Sequence, residues 1–430
     1  MASSSSFIIK NIKAREVLNG RGEPSVEVEI ITEGGIVSTA SVPTGRSRSK
    51  YEAVDLRDGG RRYRGMGVLR AIENINRIIA PALKGKDVRR QREIDMLLNE
   101  LDGTPNKSKL GGNAILGVSL AVAKTAAKAL GEPLYRYIGG ANAHILPVPH
   151  VNVIEGGKLA ATELDFQELH IIPVGAKSFS EALRMATEVY YVLGDILAKK
   201  YGRHSLNVGV EGGYTPPGLR DPREAFNVML KAIEEAGYSE KEFGLGIDVA
   251  ASHIYDEREK KYIFMGKKIS REDLIEFYKE IVSSYPVLSI EDPLEQDDFE
   301  GFAELVKSLN IQIVGDDLFA TNINRLKKGI EIGAANTILW KVNQIGTLTE
   351  ALDVAQCAFR HGYGVEVSER SGQTEDTWLA DLAVALNAGQ IKTGAPCRGE
   401  RTAQYNRLLR IEEELGRTAR YPGRNFRIPF

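Results

Sequence analysis

The sequence predicts an α/β protein in two parts: a small N-terminal α+β domain over residues 1–140, with an antiparallel sheet and helices, and a C-terminal (β/α)8 barrel over 141–430. Three observations carry that expectation. Short apolar runs at 287–290, 311–314 and 337–340 end in Glu291-Asp292-Pro293, Gly315-Asp316-Asp317 and Lys341-Val342-Asn343-Gln344. Such runs read as buried parallel strands, and the segments between them are long enough for crossover helices. They recur at about 25 residues, the interval of strand–helix units in an eight-stranded barrel. The N-terminal part follows another pattern, strand alternation first and helical spacing afterwards.

Val26, Val28 and Ile30 alternate with Ser25, Glu27 and Glu29, which gives a sheet one apolar face. Glu33-Gly34-Gly35 then turns the chain into Ile36-Val37. Beyond a loop at 43–50, Val68, Leu69, Ile72, Ile75 and Ile79 fall at helical spacing, as do Ile94, Leu97, Leu98 and Leu101. An Ala-rich helix is expected over 113–130, stopped by Gly131. Gly139-Gly140-Ala141-Asn142 marks the boundary. Strands are expected at 148–154, 165–172, 205–210 and 245–247, with a helix at 179–200. After the three runs above, 364–367 leads to Ser368-Glu369-Arg370-Ser371, and Gln390-Ile391 leads to Lys392.

Lys+Arg 56 and Asp+Glu 58 nearly cancel, which gives no sign of a nucleic-acid or acidic-membrane partner. With only Cys357 and Cys397, a disulfide framework is excluded and a reducing cytoplasm fits best. The first residues lack the basic lead and apolar core of a secretory signal. No apolar run approaches the roughly 20 residues of a bilayer span. A soluble, cytoplasmic protein is expected.

Polar groups at the carboxyl ends of barrel strands share one face, where barrel enzymes do their chemistry. Asp248, Glu291 and Asp316 each end an apolar run. Three carboxylates gathered together repel one another unless a cation binds, and Mg²⁺ suits hard oxygen donors. Any one of them alone is as easily a solvated loop acid or a helix cap; three at matched strand ends weaken that reading. Lys341 and Lys392 also end strands, and nearby cations would lower a lysine far enough to act as a base. The plainer alternative is a lysine paired with an acid or, for Lys392, one that anchors substrate.

Glu168, on a strand, and Glu211, in a Gly-Gly turn, would supply an acid if they faced a lysine across a pocket; alone, either reads as surface. Arg370-Ser371-Gly372 offers a guanidinium and a hydroxyl to a phosphate or carboxylate. Loop 44–50 carries Arg46, Arg48 and Lys50, either over the barrel mouth or as a solvated basic loop. The six histidines show no ligand spacing, and His150 and His170 read as core.

At these residues the sequence resembles the enolase family over essentially its whole length. Ala14-Arg15-Glu16-Val17-Leu18 with Arg21-Gly22 is similar to the family's N-terminal signature. Ser289-Ile290-Glu291-Asp292-Pro293, Gly315-Asp316-Asp317 and Lys341-Val342-Asn343-Gln344-Ile345-Gly346 resemble its barrel motifs. Gln390-Ile391-Lys392-Thr393-Gly394-Ala395-Pro396 and Leu409-Arg410-Ile411-Glu412-Glu413-Glu414-Leu415 resemble the C-terminal ones. The resemblance implies that Asp248, Glu291 and Asp316 bind a first Mg²⁺ and that Ser47, on a mobile loop, helps hold a second with the substrate phosphate. It implies Lys341 as base, Glu211 supported by Glu168 as acid, Lys392 on the carboxylate side, and Arg370 and Ser371 on the phosphate. A lysine base beside Mg²⁺ is the known arrangement of that superfamily.

The chain departs from the family pattern around the substrate. Leu159 stands for the histidine after Gly-Gly-Lys, Glu155 for an asparagine, Glu369 for the histidine before the phosphate-binding arginine, and Val210 for an acid. Thr44-Gly45-Arg46-Ser47-Arg48-Ser49 replaces Ser-Gly-Ala-Ser-Thr-Gly. Glu155, Leu159, Glu369, Arg46 and Arg48 are therefore expected at a substrate pocket, the arginines either pairing with Glu155 or Glu369 or meeting an extra anionic group. The implied activity is elimination of water from 2-phosphoglycerate or a related phosphorylated hydroxy acid, by a homodimer or larger homo-oligomer. The alternatives are another superfamily reaction on a different carboxylate (racemisation, ammonia loss or another dehydration) and a non-catalytic binding protein. Joint retention of Lys341, Glu211 and the three acids speaks against the last.

Overall fold

The computed structural model describes residues 4–46 and 48–430; Ser47 lies outside the described residues. The alternating N-terminal pattern forms a three-stranded antiparallel sheet, β1 (Ile9–Leu18), β2 (Pro24–Thr32) and β3 (Val37–Ser41). Val26, Val28 and Ile30 are buried, while Glu27 and Glu29 on the other face pair with Arg15 at 2.6 and 2.8 Å. Helix Gly112–Leu130 packs on the apolar face. By length and composition this helix is apolar enough to cross a membrane, against the expectation that no such segment exists. Its apolar surface is instead taken up in the core, where most of it is buried.

The second part closes into an eight-stranded barrel in chain order: β4 (Val148–Glu155), β5 (Glu168–Ile172), β6 (Gly244–Asp248), β7 (Val287–Glu291), β8 (Gln312–Gly315), β9 (Thr337–Trp340), β10 (Gly364–Ser368) and β11 (Gln390–Lys392). Helices Phe299–Ser308, Ile323–Ile332 and Leu348–Arg360 join β7 to β10. Each begins at a side-chain cap, Asp298, Asn322 or Thr347, that accepts from the first turn.

Two features depart from the sequence expectation. β5 runs antiparallel to both β4 and β6, whereas the other neighbours are parallel. Only a loop joins β4 to β5, and without a crossover helix the chain has to return antiparallel. The reversal brings the first residue of β5, Glu168, opposite Glu155 and Asp248, the last residues of β4 and β6. The segment 205–210 is not a barrel strand. It passes from a 3-10 turn (Arg203–Leu206) into a loop, because β5 and β6 pair directly and leave no gap for it.

The helix–sheet contact gives a stability test. A Cβ on Gly117 would stand 2.8 Å from Val28 Cγ2 and 3.2 Å from Val42 Cγ2. Gly117→Leu should overpack this interface and lower stability by about 1–3 kcal/mol, read as a reduced denaturant midpoint. An unchanged midpoint would show that the helix is free to lift from the sheet.

Candidate active site

Asp248, Glu291 and Lys392 are the last residues of β6, β7 and β11, while Asp316 and Lys341 directly follow β8 and β9. Strand closure brings them together at one rim. The Lys392 ammonium lies 2.9 Å from Asp248 Oδ2, 2.7 Å from Glu291 Oε2 and 3.1 Å from Glu168 Oε1, all four side chains being buried. Lys341 Nζ lies 2.6 Å from Asp316 Oδ2, and Gln344 Nε2 donates to Asp316 Oδ1 at 2.8 Å. Asp292 supports this corner from beneath: its two carboxylate oxygens accept from the backbone N–H groups of Asp316 and Asp317, each at 2.8 Å.

Charge governs the behaviour of these groups. Burial alone would raise Asp248, yet Lys392 beside it brings it down to about 2. Burial and the neighbouring Asp248 charge push Glu291 up. Burial pushes Glu168 up to about 7 against the pull of Lys392, and burial with the Glu168 charge pushes Glu211 up to about 7. Lys341 was expected to be lowered by cations. Although burial acts in that direction, direct pairing with Asp316 holds it above the ordinary lysine value.

A small cavity of about 20 Å³ is lined by Glu168, Glu211, Asp248, Asp316, Lys341, Lys392, Leu159, Glu369, Arg370 and Ser371, among others. β9 and β5 are diametrically opposite in an eight-membered ring, which sets Lys341 and Glu168 on opposite sides of the mouth, and Glu211 lines the same cavity. His170, read from sequence as core, is buried inside the barrel, and its Nε2 lies 2.9 Å from Glu168 Oε2. Burial, then the Lys392 charge, depress its imidazole to about 3, so the ring is neutral and shares one hydrogen bond with the Glu168 carboxyl.

The N-terminal domain closes the top. Thr44 and Gly372 exchange backbone hydrogen bonds of 3.1 and 2.8 Å, and a Cβ on Gly45 would collide with the Arg370 guanidinium. Arg370 forms a buried pair with Glu52 at 2.9 Å and donates to Asn343 at 3.0 Å. Ser371 Oγ accepts from Arg21 Nη1 and from the Arg46 backbone N–H, both at 2.9 Å.

Three residues expected at the pocket do not line the cavity. Arg46 and Arg48 are exposed, and Arg48 pairs with Glu52 at 3.6 Å rather than with Glu155 or Glu369. Glu155 is fully buried behind the turn that carries Glu211 and does not line the cavity. Glu369 does line it, but its Oε2 is held by Arg401 and by Thr393 Oγ1 at 3.1 Å, so its partner comes from helix Gly399–Leu415. Glu369 Oε1 is buried without a hydrogen-bond partner. Arg21, Glu52, Asn343, Gln344 and Asp292 all fall in or beside recognisable motifs, but nothing in the local pattern announced their contacts across the structure.

The donor chemistry fits a divalent cation. Asp248, Glu291 and Asp316 gather hard carboxylate oxygens at one rim beside Lys341 and Lys392, and Glu291 Oε1 is a buried oxygen without a partner. A barrel rim of hard carboxylates with a lysine and protonatable glutamates around one cavity is the setting of enzymes that remove a proton beside a carboxylate.

Comparison with known proteins narrows the class. The model of the enolase N-terminal domain matches residues 9–138, and that of the enolase C-terminal TIM barrel domain matches residues 143–430. Curated relatives named enolase from Methanocaldococcus jannaschii and Thermococcus gammatolerans are each 58% identical, over 99% of both chains. The enolase of Methanopyrus kandleri is 59% identical over 97% of this chain and 98% of its own. The chain belongs to the enolase family and is, with it, a carbon–oxygen hydro-lyase.

The buried Glu369–Arg401 pair gives a prediction about the pocket wall. Arg401→Met should cost about 3–5 kcal/mol, because it strands a buried carboxylate, measured by denaturant unfolding. Adding Glu369→Gln should recover part of that loss. It should not recover all, because Arg401 also donates to the carbonyls of Arg370, Ser371 and Val210.

Proposed function

We propose that the chain is a Mg²⁺-dependent phosphopyruvate hydratase, which removes the proton beside the carboxylate of 2-phosphoglycerate and expels the β-hydroxyl as water to give phosphoenolpyruvate. The observation that carries this reading is that Lys341 and Glu168 stand on opposite strands of the ring and line one cavity together with Glu211, Asp248 and Asp316. Asp248, Glu291 and Asp316 would hold one Mg²⁺, and Ser47 would contribute to a second. The bound metal supplies positive charge where negative charge builds on the substrate carboxylate.

The protein's own groups divide the remaining work. Lys341, once released from Asp316 and in its neutral amine form, accepts the carbon-bound proton on Nζ. Glu211 gives its proton to the departing hydroxyl as the carbon–oxygen bond breaks, so that water leaves. Glu168, oriented by His170, supports Glu211 on that face. Lys392 holds the carboxylate, and Arg370 with Ser371 holds the phosphate. A domain boundary at 140/141, a cytoplasmic location and assembly into a homodimer or larger oligomer belong to the same proposal.

With 2-phosphoglycerate and Mg²⁺, a coupled assay should register phosphoenolpyruvate; EDTA should abolish the signal and added Mg²⁺ restore it. Lys341→Ala should lose both elimination and exchange of the carbon-bound proton in heavy water, by about 10²–10⁴-fold. Wild-type exchange without elimination would overturn the lyase reading.

Glu369 favours a second reading of the substrate. Glu369 lines the cavity together with apolar Leu159, and its buried Oε1 without a partner suits a phosphorylated hydroxy acid that carries one further hydroxyl or amine. Such a substrate should exceed 2-phosphoglycerate in kcat/KM by about 10- to 100-fold, and Glu369→Leu should erase the difference. Equal efficiency for the two in the wild type would leave 2-phosphoglycerate as the substrate.

A further inference from the structure

Glu211 sits on no strand or helix; it is carried by an irregular turn at 209–213. An acid on a loose turn would donate its proton from many positions, so what fixes this turn matters to the reaction. Several separate elements grip its backbone. Tyr190 Oη donates to the Gly212 carbonyl at 2.7 Å, the Ala395 N–H donates to the Glu211 carbonyl at 2.9 Å, and Arg401 Nη2 donates to the Val210 carbonyl at 3.1 Å.

The amides on the other side converge on one atom. Glu155 Oε1 accepts from the backbone N–H of Glu211 at 2.9 Å and from that of Gly213 at 2.7 Å. The acid's own amide and that of Gly213, two residues on, are thus tied to one carboxylate oxygen at the end of β4. The turn's composition accommodates this approach. A Cβ at Gly209 would collide with Glu155 Oε2, and a Cβ at Gly213 would fall 3.0 Å from Glu155 Cγ. The glycines on either side therefore leave the space that the carboxylate fills. Glu155 also stands directly opposite Glu168 in the β4–β5 ladder, and its own N–H donates to the Tyr214 carbonyl at 2.9 Å.

We infer that Glu155 is a positioning residue for the elimination half of the reaction: it touches no substrate but holds Glu211 where it can protonate the leaving hydroxyl, in register with Glu168. This rests on the reading of Glu211 as the acid. Lys341 lies across the barrel mouth and shares none of these bonds, so removal of the carbon-bound proton does not depend on Glu155.

The two half-reactions separate a positioning role from a merely structural one. Wild type and variants are incubated with 2-phosphoglycerate and Mg²⁺ in heavy water. Phosphoenolpyruvate formation and deuterium entry into unreacted substrate are followed together, with a melting curve for each protein. Glu155→Ala should lose elimination by about 100-fold while exchange stays within about 3-fold of wild type. Glu155→Gln, whose amide oxygen can accept both backbone bonds, should restore most of the elimination. In a Glu211→Gln background, Glu155→Ala should cause no further loss, since two residues acting through one group are not additive.

Elimination and exchange falling together in Glu155→Ala, or elimination left intact, would overturn the inference. So would an independent further loss in the double variant. Should Glu155→Ala fail to fold, Glu155→Asp, whose carboxylate is one methylene too short to reach both amides, and the double Glu155→Asp/Glu211→Gln variant carry the same comparison. A wild type that neither exchanges nor eliminates would instead bring down the reading of the site, and the inference with it.

Discussion

Crowding of negative charge at the barrel rim is the constraint around which the site is built. Asp248, Glu291 and Glu168 approach one another closely enough that only the buried Lys392 ammonium between them makes their proximity tolerable. Lys341 does the same for Asp316, more locally. These pairings explain the divergent proton affinities of chemically similar groups. Asp248, next to the ammonium, is held ionised, whereas Glu168 and Glu211, enclosed and facing one another, retain protons near neutrality. One rim therefore offers both a set of charged ligands and a protonated acid, with no change in residue chemistry other than its surroundings.

Fold topology creates that crowding. In a barrel of uniformly parallel strands, Glu168 as the first residue of β5 would lie at the far end, away from the ligands. The helix-free link from β4 reverses β5 and brings Glu168 level with Asp248. His170, two residues on, then points the same way as Glu168 and supports its carboxylate from inside the barrel.

Sequence made the strand ends legible because an apolar run that stops at a charged residue is a local signal. Asp248, Glu291, Asp316, Lys341 and Lys392 were all readable in that way, as was the two-part architecture. What escaped was relational. The direction of β5 depends on the absence of a helix in a loop, and 205–210 resembled a strand until its neighbours were seen to pair without it. Arg401 binds Glu369 from a helix 32 positions along the chain, so no spacing rule could have matched them. Glu155, standing where the family pattern has an asparagine, was expected at the pocket. Its side chain instead turns toward a backbone segment whose position is set only by the closed barrel. The apolar helix Gly112–Leu130 was hidden as a possible span because alanine and glycine give a lower apparent hydrophobicity than its almost complete burial implies.

The contacts between Thr44 and Gly372, and between Arg370 and Glu52, have a consequence for energetics. The residues that would grip the phosphate come from the barrel, but the groups that hold them in place come from the N-terminal domain. Ligand binding and domain docking are thus parts of one equilibrium: a ligand that needs both surfaces binds only the docked form. Its apparent affinity is scaled by the fraction of molecules docked. Substitutions far from the barrel mouth, along the seam between the two domains, can therefore weaken binding without altering a single group that meets the ligand, and a tightly bound ligand acts in turn as a clamp on the whole molecule.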